Sequence, residues 1–169
     1  MLFRSIALAL CAGPELIIAD EPTTALDVSV QAQIIALLKR LARDHGTAVM
    51  LVTHDMGVIA EIADRVAVMY AGRLAEVGPV REVVKQPLHP YTRGLMGAIP
   101  TLEGRTARLV QIPGTMPRLA AIPAGCAFHP RCPFVLDRCR QERPEPQAIA
   151  GRSVACHLYD NHATAEPAT

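Results

Sequence analysis

The sequence predicts an α/β protein: a parallel sheet with flanking helices and a small antiparallel hairpin, followed by a proline-rich, loop-rich C-terminal extension. Three observations carry that expectation. Leu16-Ile17-Ile18-Ala19 and Ala48-Val49-Met50-Leu51-Val52-Thr53 are unbroken apolar runs separated by a helical pattern. Such runs, bounded by turn signals, read as strands buried on both faces, and strands of that kind belong to parallel sheets. A right-handed crossover then sets both strand ends on one edge of the sheet. Finally, eleven of the fourteen prolines follow Gln86, where apolar periodicity fades.

Taken in order, a helix end over Ile6 to Cys11 runs into the turn Gly13-Pro14, which feeds the first strand. Glu21 to Leu26 form a polar loop. Asp27 suits the N-cap of a helix reaching about Arg43, with Val30, Ile34, Leu37, Leu38 and Leu41 on one apolar face and Gly46 as the stop. After the second strand comes a short helix over Met56 to Ala63. Arg65 to Tyr70 and Arg73 to Val77 pair as a hairpin across Ala71-Gly72. Gly78-Pro79 opens a helix through Lys85, since proline suits a first helical turn. A further short helix is expected near Tyr91 to Ala98.

Charge divides unevenly: six basic and nine acidic residues through Val80, eleven and seven from Arg81 onward. Scattered arginines with few aromatics make a poor nucleic-acid surface, so no nucleic-acid partner is expected. No apolar stretch approaches the ~20 residues needed to cross a bilayer. The segment Met1-Leu2-Phe3-Arg4-Ser5 joins a helix already under way, and residues 1–5 are set aside as a non-native scar.

Chemistry concentrates at the strand ends. Asp20 and Glu21 follow the first strand and His54 follows the second. In open α/β sheets ligands sit outside the carboxyl ends of the strands, so the three are expected in one crevice. An aspartate there can hold Mg²⁺, a neighbouring glutamate can deprotonate an attacking water, and a histidine can stabilise charge on a phosphate. The plainer alternative is a carboxylate pair that caps the next helix and a histidine that is only hydrogen-bonded.

These residues resemble the ATP-binding subunits of ABC transporters over Ile6 to about Cys156. Leu16 to Pro22 is similar to their Walker B segment, Thr23-Thr24-Ala25-Leu26-Asp27 to the D-loop, and Val52-Thr53-His54-Asp55 to the switch-histidine region. The resemblance implies a part of an ABC-type P-loop NTPase fold, with ATP and Mg²⁺ as cofactors. It implies Asp20 serving Mg²⁺, Glu21 as general base, His54 on the γ-phosphate, and Asp27 acting across a pair of nucleotide-binding domains. The sequence departs from the family in two respects: it contains no G-x-x-x-x-G-K-[ST] loop, and the Gly-rich family signature expected before Ile6 is missing. The chain by itself is therefore expected neither to bind ATP tightly nor to hydrolyse it.

Leu88-His89-Pro90-Tyr91-Thr92-Arg93-Gly94-Leu95, with Ala98-Ile99-Pro100, resembles the C-terminal extension of peptide-importer ATPases, whose relatives drive uptake of dipeptides, oligopeptides or nickel. The implied domains are residues 6–86, part of the nucleotide-binding domain; 87–160, the extension; and 161–169, a disordered tail. Implied partners are a second ATP-binding subunit, membrane permease subunits and, indirectly, a peptide-binding protein, at the cytoplasmic face of the membrane. A non-transport ABC ATPase acting on nucleic acid or ribosomes, or a non-catalytic cysteine-ligated module, are the competing readings.

Cys126, Cys132, Cys139 and Cys156 are separated by five, six and sixteen residues. Four clustered thiols can ligate a metal or cluster. Some relatives of these importer ATPases hold an iron–sulfur cluster with cysteines in this region. A [4Fe–4S] cluster, a zinc ion, and unligated or oxidised thiols all stay open, with His129 and His157 as bystanders.

Overall fold

The computed structural model describes residues 8–24, 26–98 and 111–160. The expected scar at 1–5 and tail at 161–169 lie outside the described residues. The chain divides after Ile62 into two compact units. The compositional boundary expected at residue 86 therefore falls inside the second unit.

In the first unit, β1 (Leu16–Asp20) and β2 (Ala48–Val52) pair in parallel, with Asp20 opposite Val52. Between them runs α1 (Val28–Asp44), and α2 (Met56–Ile62) follows β2. Ile34, Ile35 and Leu38 of α1 and Val58 and Ile59 of α2 are buried, while Val30, Leu37 and Leu41 are half-buried. The apolar stripe of α1 thus falls where its 3.6-residue spacing puts it. Lys39 meets Glu61 at 2.6 Å between the two helices. Gly46, at φ 65°, ends the helical segment.

One expectation fails here. Along both strands burial alternates, and Leu16, Ile18, Met50 and Val52 are 44–63% exposed. A continuous apolar run allows burial on both faces without imposing it; the period-2 geometry of a strand sends alternate side chains to opposite sides, and one side of β1 and β2 is open.

The second unit is built on a four-stranded antiparallel sheet in the order β3-β4-β6-β5. β3 (Arg65–Tyr70) and β4 (Arg73–Pro79) form the expected hairpin, with a bulge between Val68 and Met69. Its two-residue turn, Ala71 at φ 47° and Gly72 at φ 77°, has the double left-handed conformation that matches strand twist. The same device closes the second hairpin, β5 (Gln147–Ile149) and β6 (Arg152–Val154), where Ala150 and Gly151 stand at φ 47° and 74°. Sequence reading missed that second hairpin. Its strands are three residues each, inside a proline-rich stretch.

α3 (Val80–Lys85) starts directly after Pro79, and α4 (Pro90–Gly97) starts after His89, whose Nδ1 accepts the Tyr91 amide at 3.0 Å. Buried Val66, Val68, Tyr70, Val80, Val83, Tyr91, Phe128 and Val154 make the core of this unit. Tyr70, Tyr91 and Phe128 stand with ring centroids 4.7–5.5 Å apart. No helix among the described residues is long and apolar enough to cross a membrane.

Glu76 of β4 is fully buried. Its carboxylate accepts the Leu88 amide at 3.1 Å and the His89 amide at 2.9 Å, and lies 3.4 Å from Nη1 of Arg152, itself buried. Arg152 also donates to the Gln86 carbonyl at 2.6 Å. One buried carboxylate thus joins β4, the entry to α4, and β6, satisfying donors that would otherwise be orphaned. Replacing it removes the acceptor of the Leu88 and His89 amides and the buried carboxylate that faces Arg152, which keeps only its carbonyl partners and the half-exposed Glu82. Glu76→Ala is expected to lower unfolding free energy by about 3 kcal/mol or more, measured by urea titration with circular dichroism. A change below about 1 kcal/mol would contradict the network's role.

Candidate active site

The parallel pairing of β1 and β2 brings two strand tips side by side. The ladder continues one step past Asp20: the Glu21 amide donates to the Val52 carbonyl at 2.8 Å. At that step Glu21 takes φ 45°, a left-handed conformation uncommon for a side chain of its size. Backbone strain of this kind concentrates at functional sites. Glu21 meets His54 there. Its Oε1 lies 2.7 Å from His54 Nδ1, and its Oε2 accepts the Thr24 hydroxyl at 2.6 Å.

Both oxygens of the carboxylate are therefore occupied, one by the imidazole and one by a hydroxyl. The Thr24 hydrogen bond and then the His54 contact hold the Glu21 carboxyl below its ordinary range. Conversely the hydrogen bond to Glu21 and its negative charge raise the His54 imidazole. The His54 side chain is 83% exposed, so solvent and ligands reach it. Asp20 is exposed at the end of β1, and its carboxylate has no hydrogen bond or ion pair among the described residues. A solvated carboxylate of this type can supply one of the few protein ligands that Mg²⁺ takes alongside water and phosphate oxygens.

Two further aspartates organise the surroundings. Asp27 caps α1, with Oδ1 accepting the Val30 amide at 2.9 Å and the Ser29 hydroxyl at 2.6 Å; both bonds hold its carboxyl low. Asp55 Oδ1 accepts the Gly57 amide at 2.8 Å, its own amide donates to Thr53 Oγ1, and Oδ2 accepts from Gln31 of α1 at 3.2 Å. The loop carrying His54 is thus fastened on both sides. Sequence reasoning put Glu21 and His54 together and assigned the cap to Asp27. It missed the Thr24 clamp, whose signal is a hydroxyl residue three positions after the glutamate.

The four clustered cysteines also converge. The Cys126 amide donates to the Cys139 carbonyl at 2.9 Å, and Gly125, at φ 68°, approaches so closely that a Cβ would collide with that carbonyl oxygen. Cys126, Cys132, Cys139 and Cys156 line one cavity of about 10 Å³, no larger than a water needs. All five cysteines of the chain are free thiols. Burial pushes Cys126 and Cys132 upward and Cys156 to about 11, which favours the protonated form. Among the described residues no three His, Cys, Asp or Glu side chains stand as a metal-holding set. Both ring nitrogens of His157 are engaged, by Asp160 and by the Glu142 carbonyl.

The Glu21–His54 pair gives a direct titration test. The raised imidazole contributes stability that is fully present below its ordinary pKa of about 6.5 and is lost as pH rises through the raised value. Glu21 contributes above the ordinary carboxylate range and loses it as pH falls through the lowered value. An NMR titration of His54 is expected to show a pKa above about 6.5 that falls toward it in Glu21→Gln. An imidazole indifferent to that substitution would contradict the pairing.

Residues 75–139 match the family model described as the oligopeptide/dipeptide transporter, C-terminal region. The oligopeptide transport ATP-binding protein OppD of Salmonella typhimurium is 51% identical over 151 residues, covering 89% of this chain and 45% of that protein. The dipeptide transport ATP-binding protein DppD of Bacillus subtilis is 49% identical over 160 residues, covering 94% and 48%. A solved dimeric structure, the post-hydrolysis state of the ATP-binding cassette MJ0796 bound to ADP and Pi, is similar at TM-score 0.44 and 35% identity, over 47% of this chain and 34% of that one. The chain spans about half the length of the curated relatives it matches. Over that span the chain is similar to oligopeptide and dipeptide transport ATP-binding proteins, and residues 75–139 match the C-terminal region of that transporter family.

Proposed function

We propose that this chain supplies the catalytic strand ends of an ATP-hydrolysing subunit that energises import of di- or oligopeptides. The observation that carries this reading is the 2.7 Å contact between Glu21 and His54 at adjacent parallel strand tips, with Asp20 beside them. The family match over residues 75–139 favours peptide transport over an ATPase acting on nucleic acid or ribosomes.

In this mechanism Asp20 would hold Mg²⁺, which would supply neutralisation of the phosphate charge. Glu21 is the general base. Its low pKa keeps it ionised near neutrality, and it takes the proton of the attacking water. To do so it must free one oxygen from Thr24 or His54. A released His54 is then the group that turns toward the terminal phosphate. Asp27 acts at the junction with a second ATP-binding subunit, and closure of the pair drives permease subunits at the cytoplasmic face, supplied by a peptide-binding protein. The chain alone contains no G-x-x-x-x-G-K-[ST] phosphate loop and is inactive by itself.

The cysteine quartet adds a second proposal: Cys126, Cys132, Cys139 and Cys156, which line one cavity, would ligate a [4Fe–4S] cluster or zinc. Ligation would stabilise this loop-rich region, since binding free energy at such a site is also folding free energy.

Two experiments test these readings. In a full-length subunit carrying this sequence, Glu21→Gln is expected to lower ATP turnover by about 100-fold or more while nucleotide binding persists. Near-normal turnover would refute the base assignment. For the quartet, anaerobically purified chain is expected to carry iron with broad visible absorption, or about one zinc, and to lose it in Cys139→Ser. Metal-free protein from the anaerobic preparation of the unsubstituted chain would refute ligation.

A further inference from the structure

The second unit contains a cavity of about 300 Å³ that nucleotide chemistry does not use. That volume lies at the lower end of small-molecule sites. Its inner wall is aromatic and dry: Tyr70 and Phe128, both buried, meet edge to face at 5.2 Å, and buried His89 stands beside Phe128. Burial pushes the His89 imidazole down to about 4, so this wall carries no charge near neutrality. Leu74, 49% exposed, forms an apolar lip. Pro144 and Pro146 complete the wall, and their fixed φ leaves little to order when a ligand enters.

The mouth is different in kind. Arg73, Arg143 and Glu145 line it, all exposed, and none of the three side chains has a hydrogen bond or ion pair among the described residues. Two guanidinium groups and one carboxylate therefore surround an apolar recess without neutralising one another. That combination complements a molecule bearing both signs of charge at one end and apolar surface at the other.

We propose that this cavity binds a small zwitterion with one apolar side chain, a free apolar amino acid, with its side chain against Tyr70 and Phe128 and its charged end among Arg73, Arg143 and Glu145. An apolar plug from another protein would leave the Glu145 carboxylate without a cation to receive. A volume of about 300 Å³ suits one side chain with its head group rather than a long peptide. Every wall belongs to the second unit, so the proposal stands apart from the Glu21 and His54 chemistry.

The test is a ¹H–¹⁵N NMR titration of the full chain with L-phenylalanine. Saturable shifts are expected at the amides of Leu74, Ala127 and Ala155 around the cavity. Phenylacetate, lacking the ammonium group, and phenethylamine, lacking the carboxylate, are expected to bind about tenfold more weakly or worse. Arg143→Ala and Glu145→Ala, both at exposed positions, are each expected to weaken L-phenylalanine severalfold while leaving the rest of the spectrum unchanged. Absence of saturable shifts at those amides in millimolar L-phenylalanine would overturn the proposal. So would equal binding of phenylacetate, or tighter binding of glycyl-phenylalanine than of the free amino acid.

Discussion

The second unit turns on a single buried charge. Glu76 sits in the middle of β4 with no exposure to water, a position that costs several kcal/mol for an unpaired carboxylate. Its partners are two backbone amides from Leu88 and His89 and the guanidinium of Arg152. Those partners come from segments far apart in sequence, so the strand, the turn before α4, and the last hairpin must all be in place before the carboxylate is compensated. The Leu88-His89-Pro90-Tyr91 run then has a physical reason. Two of its amides serve Glu76, His89 caps the helix through Nδ1, and Pro90 occupies the first helical position, where no amide is needed.

Sequence pattern revealed the elements with strong periods or strong punctuation. The stripe on α1, the Asp27 cap, the Gly46 stop and the Ala71-Gly72 turn each state their geometry in a few residues. Three features were harder to read. An apolar run such as Leu16 to Ala19 carries no mark saying which face will be covered, and Leu16 and Ile18 proved to be half-exposed or more. The hairpin at 147–154 is too short for alternation to register; its one sequence signal is the Ala150-Gly151 pair, a repeat of the turn already identified at Ala71-Gly72. Glu76 itself reads as a surface residue among Leu74, Ala75 and Val77, because its partners lie beyond any local window.

At the candidate site the two residues that mattered most were legible, since each follows an apolar run and the crossover rule brings the ends together. What the sequence did not contain was the mutual restraint. Glu21 gives one oxygen to His54 and the other to Thr24, so charge on the carboxylate and charge on the imidazole favour one another. The left-handed backbone at Glu21 makes that geometry available. Asp55, through Gln31 and the start of α2, keeps the histidine loop from drifting away. The cysteine quartet was likewise legible as a group; the backbone hydrogen bond that ties Cys126 to Cys139 was not.

The open side of the two-stranded parallel sheet has a bearing on how this polypeptide behaves in concentrated solution. Leu16, Ile18, Met50 and Val52 form an oily stripe across β1 and β2, and among the described residues these strands hydrogen-bond only to each other, leaving a free rim on either flank. Sticky surface next to unpaired backbone is the combination that templates orderly self-association. High concentration is then a condition that favours contact between copies through this face.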